Sequence, residues 1–188
     1  NNLLNLARSN KIFLTIVALL ILSVSYLSIP NIFKQDNIKL KFSRDLLSEF
    51  SLNFNFSENF KYNIFPRPHF IIENSSIIFN SKNISEVKKL KVSISLENLF
   101  SLKKIKIDEL IIEESNFNFN RENYKFFIDL LKNNFQEKAL KIKNSKIFFR
   151  NFENEVLFVN KILNMSYYYD KNEFQNIINS DNEIFNIP

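Results

Sequence analysis

From residue 12 to residue 29 the chain reads IFLTIVALLILSVSYLSI, an uncharged apolar run that stops at Pro30. Beyond Pro30 the rhythm changes to two. Leu52, Phe54 and Phe56 alternate with Asn53, Asn55 and Ser57, and Leu90, Val92, Ile94 and Leu96 alternate with Lys91, Ser93 and Ser95. Ile105 and Ile107 alternate with Lys104, Lys106 and Asp108. Period-two alternation predicts strands with one apolar and one wet face, as in an antiparallel sheet covered on one side only. Residues 123–135 carry Phe126, Phe127, Leu130 and Leu131 at helical spacing, which predicts a helix, and a short helical turn is expected near Arg44 to Leu47.

Three segments superpose: FIIENSSIIF (70–79), LIIEESNFNF (110–119) and LKIKNSKIFF (140–149). Each has apolar residues at its first, third, eighth and tenth positions, polar ones at the fourth to seventh, and Ser at the sixth. The pattern predicts a tight hairpin with Asn74-Ser75, Glu114-Ser115 or Asn144-Ser145 as its loop. Such hairpins would oppose Ile72 to Ile77 and Phe70 to Phe79, Ile112 to Phe117 and Leu110 to Phe119, and Ile142 to Ile147 and Leu140 to Phe149. All twelve side chains would then share one face. The turn sequences lack the glycine such loops favour, so a wider loop or a bulge stays open as an alternative. The units recur at intervals of 40 and 30 residues, which suggests an elongated array and not a closed barrel. The apolar face must be covered. Either the sheet packs on itself, or the face is a groove for an apolar ligand.

The uncharged run has 18 residues, about 27 Å of helix and close to the hydrocarbon thickness of a bilayer. Arg8 and Lys11 precede it and no acid occurs in residues 1–30, so the positive-inside rule places residues 1–11 in the cytoplasm and residues 30–188 outside. A cleaved signal peptide, with Ser23-Val-Ser25 as its small-residue site, needs a shorter apolar core. A core helix would be apolar on one stripe only. Residues 12–29 are therefore expected to be an uncleaved membrane anchor.

Composition removes most chemistry. The 188 residues include no Cys and no Gly, so disulfides, thiolate nucleophiles, Cys-based zinc sites and glycine phosphate loops are excluded. His69 is the one histidine, which excludes multi-His metal centres and any Ser-His triad elsewhere. No catalytic residue, metal site or cofactor is expected. Glu113-Glu114 falls in a predicted turn, where solvation explains it, and Tyr167–Tyr169 reads as part of a strand. The net charge of +5 is spread along the chain with Lys and Glu interleaved, so no nucleic-acid partner is expected. The 22 Phe and the many Asn, Lys and Ile have AT-rich codons, so position carries more weight here than propensity.

The order of features resembles the N-terminal region of AsmA-like proteins of Gram-negative envelopes. The likeness rests on an anchor, then Phe65-Pro-Arg-Pro68 leading into Phe70–Ser75, then Val87–Leu96 with Leu99–Leu102, then Ile105–Ser115, and covers residues 10 to about 150. It implies an inner-membrane anchor and a long periplasmic β structure related to chorein-type bridge-like lipid transfer proteins. A chain that starts without Met and stops at Ile187-Pro188 is then expected to hold the beginning of the groove.

The sequence thus predicts a mainly β protein. Its transmembrane helix precedes an elongated, curved antiparallel sheet of hairpin repeats with one or two short helices. The expected function is non-enzymatic. Phospholipid acyl chains would be bound or conveyed along Phe70, Ile72, Ile77, Phe79, Leu110, Ile112, Phe117, Phe119, Leu140, Ile142, Ile147 and Phe149, in support of outer-membrane assembly. The alternative is a membrane-anchored envelope scaffold with a self-packed β core that recruits envelope proteins.

Overall fold

The computed structural model describes residues 2–56, 59–132 and 138–186. Helix α1 (Asn2–Ser28) runs into a 3-10 turn at Ile29–Ile32, followed by α2 (Gln35–Phe50), β1 (Asn53–Asn55) and β2 (Phe60–Asn63). The body consists of β3 (His69–Phe79), β4 (Lys82–Ile94), β5 (Ile107–Phe119), α3 (Tyr124–Lys132), β6 (Ala139–Arg150), β7 (Val156–Asp170) and β8 (Gln175–Asn186). The fold is mainly β, with one open sheet ordered β1-β3-β4-β5-β6-β7-β8 and β2 paired to β3.

Seven pairings knit this sheet. All are antiparallel except β5–β6, which is parallel. Two parallel strands cannot be joined by a tight turn, and α3 lies in the crossover between them. The helix expected over 123–135 is observed at Tyr124–Lys132, and Phe135 lies outside the described residues.

The hairpin units are corrected. None of the three segments is a hairpin. Each is one continuous strand, β3, β5 or β6, and the pairs predicted across a loop lie along a single chain. The residues read as loops are in mid-strand, where Asn74, Glu114 and Asn144 take left-handed backbone with φ of 53°, 54° and 48°. The five-residue step from Ile72 to Ile77 would put these two on opposite faces of a regular strand, since side chains alternate. A left-handed residue inserts one extra step and restores the phase. The true tight turn is Asn80-Ser81 between β3 and β4, with φ of 49° and 63°, the double positive φ of a two-residue hairpin.

The same offset crosses the sheet in one row. The strand pairings skip Asn74 of β3, Lys88 of β4, Glu114 of β5, Asn144 of β6 and Leu163 of β7. All five are exposed, so the extra residue of each strand stands on the wet face. Inward positions step by three at this row in every strand, from Ile72 to Ser75, Leu90 to Val87, Ile112 to Ser115, Ile142 to Ser145 and Met165 to Ile162. Because the strands make the change together, pairing continues on both sides of the crease.

A helical turn is expected only near Arg44 to Leu47, and the structure extends it to the 16 residues of α2. Ile38, Leu40 and Phe42 alternate with Lys39 and Lys41, which reads as a strand. Ile38, Phe42, Leu46 and Phe50 are spaced four apart, and all four are buried. Helix won because this stripe meets the sheet, at roughly 1.5–3 kcal/mol for each large side chain removed from water. Ser51, at φ 55°, ends the helix, its N–H donating to Leu47 O at 3.1 Å while Leu52 N–H reaches Leu46 O at 3.2 Å.

The opposite face of the sheet is wet across its middle, while His69, Ser93, Glu109 and Ile111 are buried at the end nearest α1. Glu73, Lys89, Glu113 and Lys143 succeed one another across β3 to β6, with Lys89 2.8 Å from Glu113. Alternating charges on neighbouring strands favour this register.

Helix α1 includes most of a stretch, Asn10–Ile32, long and apolar enough to cross a membrane, and its most apolar window is not buried in the protein. The end of α1 is clamped to the sheet. The Tyr26 hydroxyl donates to Leu96 O at 2.7 Å and accepts the Leu99 N–H at 3.4 Å, while the Tyr62 hydroxyl donates to Leu27 O at 2.5 Å. Burial pushes the Tyr62 pKa up to about 12, so it keeps this donor proton at neutral pH.

Candidate functional site

The inner face is built in rows that run across the strands. Nearest the end of α1, Phe70, Val92, Leu110, Leu140 and Tyr167 are neighbours, and the next row holds Ile72, Leu90, Ile112, Ile142 and Met165. Past the crease come Ser75, Val87, Ser115, Ser145 and Ile162. Farther out are Ile77, Ser85, Phe117, Ile147 and Asn160, and then Phe119, Phe149 and Phe158. The twelve positions singled out in the sequence therefore share one face, with the crease doing what a hairpin was expected to do.

Two helices roof part of this face. Helix α2 brings Phe42 edge-on to Phe70 with ring centroids 5.1 Å apart. Helix α3 sets Phe126 against Phe79 at 5.6 Å and Phe127 against Phe117 at 6.3 Å. Tyr167 of β7 donates its hydroxyl to Leu131 O at the end of α3, and burial raises its pKa. Under the roof Phe70, Ile72, Ile77, Leu110, Ile112, Phe117, Leu140 and Ile142 join the buried core.

The remaining four, Phe79, Phe119, Ile147 and Phe149, are half-buried. Phe79 packs on α3. Phe119, Ile147 and Phe149 form the near side of an aromatic strip toward the far end of β6 and β7, and Phe119 marks the edge of the roof, its ring 4.9 Å from Phe127 of α3. Phe149 stands 5.0 Å from Phe119 and stacks on Phe158 at 4.2 Å and 13°. The same face continues on the edge strand, where Ile184 opposite Asn160 is 70% exposed and Ile178 opposite Tyr167 is 47% exposed. Phe158, Ile178 and Ile184 were missed by the sequence reading. The alternation of Phe158, Asn160 and Ile162 carried the signal for the first of them.

The serine shared by the three units is hydrogen-bonded in the second and third, while the Ser75 hydroxyl of the first is buried without a partner among the described residues. Ser115 Oγ lies 2.5 Å from Ser85 Oγ and donates to Glu86 O at 3.0 Å, and Ser115 N–H donates to Ser145 Oγ at 3.0 Å. These bonds satisfy polar groups buried at the crease, where ladder bonds are interrupted.

His69 and the acidic residues singled out in the sequence are accounted for by packing and ion pairing. His69 is buried on the wet face with Nδ1 2.7 Å from Arg67 O. Burial, followed by the charges of Lys91, Lys89 and Arg67, holds its pKa below the usual imidazole value despite that bond. Glu109 is buried between Lys141, at 2.5 Å, and Arg67. Burial raises its carboxyl pKa, but the Lys141 hydrogen bond and the Arg67 charge outweigh it and hold the group low. Glu113 faces Lys89, and the exposed Glu114 is 3.6 Å from Lys88. No cluster of three His, Asp or Glu suited to a metal ion occurs among the described residues. Of the anchor flank, Lys11 is exposed on α1, and Arg8 lies in the same helix with its side chain outside the described part.

Comparison with protein-family models gives no match, and comparison with curated proteins gives none.

Proposed function

We propose that this is a non-enzymatic, single-pass inner-membrane protein whose periplasmic sheet binds phospholipid acyl chains along the unroofed strip of its inner face. The observation that carries the reading is the Phe149 and Phe158 stack, half-exposed beyond Phe119, where the contact with α3 ends, and continued by Ile184 on the edge strand. Each methylene laid on such a surface is worth about 0.8 kcal/mol, without any specific polar chemistry. The likeness to AsmA-like proteins points the same way, toward transfer of phospholipid in support of outer-membrane assembly. Lys11 before the span and the absence of acid in residues 1–30 favour a cytoplasmic N-terminus.

The roofed half supports a second reading. Eight of the twelve positions belong to the buried core, and a lipid could not reach them without displacing a helix. In that reading the protein is an anchored scaffold that recruits an envelope protein through the edge of β8.

Lipid extraction from the purified full chain, followed by mass spectrometry, separates the two. Acyl-chain binding predicts phospholipid that survives washing and is lost in the I147D/I184D variant while the circular dichroism spectrum is kept. Equal lipid in the folded variant contradicts it and favours the scaffold.

A further inference from the structure

The strand directions put three loops at the end of the sheet where α1 is clamped: residues 64–68 between β2 and β3, 95–106 between β4 and β5, and 171–174 between β7 and β8. Each loop holds out an aromatic ring. Phe65 and Phe174 are 81% exposed and Phe100 is 73% exposed, with Leu96 beside it at 57%. Single exposed apolar residues are ordinary on a protein surface, but their gathering at the tips of three loops on one end is not. At the far end a single loop ring, Phe152, is as exposed, at 83%, with the Arg121 guanidinium carbon 5.2 Å from its ring centre.

The charge at the clamped end is complementary to a lipid surface. Lys103 and Lys104 end a 3-10 turn just beyond Phe100, both exposed and without an ion pair among the described residues. A cleft of about 740 Å3 between α2 and this loop is lined by Leu40, Arg44, Phe100 and Lys103 among others. Lys41 and Asp45, which also line it, neutralise each other in an ion pair, and this leaves Arg44 and Lys103 beside the apolar Leu40 and Phe100 to meet a headgroup phosphate. The Tyr26 hydroxyl ties Leu96 and Leu99 to the last turns of α1, so the loop cannot leave the level at which that helix ends.

We propose that this end of the sheet is a second membrane contact. Phe65, Phe100 and Phe174 seat in the interface of the bilayer that α1 crosses, and Lys103 and Lys104 meet anionic phospholipid headgroups. The inference rests on reading α1 as a membrane anchor. Interfacial aromatic rings and nearby lysines are the usual means by which a domain lies on an anionic surface. The contact would hold the sheet upright, with its strands leading away from the membrane.

The chain has no Trp, so single tryptophans report cleanly. Full-length F65W, F100W, F174W, F152W and L19W are reconstituted into vesicles of brominated phosphatidylcholine containing phosphatidylglycerol, and quenching by the lipid bromines is read. The proposal predicts strong quenching of L19W, clear quenching of F65W, F100W and F174W, and none of F152W. The pair K103E/K104E in the F100W background should reduce quenching in these vesicles and leave it unchanged in pure phosphatidylcholine. If L19W is quenched and the three loop tryptophans resemble F152W, the proposal is overturned and the rings face a protein partner. An unquenched L19W overturns the anchor itself, and the membrane contact with it.

Discussion

The β3–β5 half of the sheet and the β6–β8 half use the same inward pattern and end differently. In the first, Ile72, Leu90 and Ile112 are sealed beneath α2 and α3. In the second, Leu140, Ile142, Ile162 and Tyr167 are sealed as well, but farther along the strands Ile147, Phe149 and Phe158 are half-exposed, and Ile184 stands almost bare on the edge. The strand pairing is equally complete in both. The helices make the difference: α2 and α3 cover β3 to β5 and the ends of β6 and β7 nearest α1, where Leu140, Ile142 and Tyr167 are buried, while Phe149 and Phe158 farther along stay half-exposed. Period-two patterning therefore decides which face is apolar, and the connections decide whether that face becomes core or surface.

The largest effect should come from truncating one inward isoleucine in each half. Ile112→Ala leaves a cavity in a sealed core and should cost about 3–4 kcal/mol, whereas Ile147→Ala removes partly wet surface and should cost about 1 kcal/mol. Denaturant unfolding of the full chain, tracked by circular dichroism, measures both. Equal losses would mean that the second half is as closed as the first.

A smaller effect should appear at the crease, which both halves share. Valine is among the best strand residues, yet Glu114→Val should destabilise by about 1–2 kcal/mol, because a β-branched residue resists the left-handed backbone held at this position. The lysine that Glu114 faces, Lys88, is 3.6 Å away and both are exposed, so loss of that ion pair adds little. A neutral or stabilising outcome would remove the left-handed residue from the account of phase restoration.

The smallest effect is a pH dependence confined to the roofed half. The depressed pKa of His69 means that the unfolded chain binds its proton more readily than the folded one. The stability His69 contributes is complete above the ordinary imidazole value of 6.5 and declines as pH falls through 6.5 toward the lower folded value. Over that interval the slope of stability against pH should flatten in His69→Gln. An unchanged slope would assign the dependence to other groups.

Much of this fold was legible in the sequence. The apolar run announced α1, and the alternation announced the sheet. The four apolar positions of each repeated unit marked its inner face even though the unit was taken for a hairpin. That error has a definite cause: a five-residue step between apolar positions fits two strands joined by a turn as well as one strand with a left-handed residue, and Asn or Glu marks that residue less plainly than Gly would. Most of helix α2 was hidden because Ile38 and Phe42 satisfy a period of two and a period of four alike. The parallel β5–β6 pair was hidden because parallel pairing is set by the crossover through α3, which no local pattern encodes. The candidate strip on β6–β8 was legible only as a face, since the roof that separates it from the rest depends on where two helices land.

The central claim is that lipid meets the unroofed strip and not the roofed one. A photo-crosslinking phenylalanine analogue placed in the full chain within cells, at Phe149 in one strain and at Phe70 in another, tests this directly. We predict phospholipid adducts at position 149 and none at position 70. Adducts at neither position, or at both equally, would contradict the account.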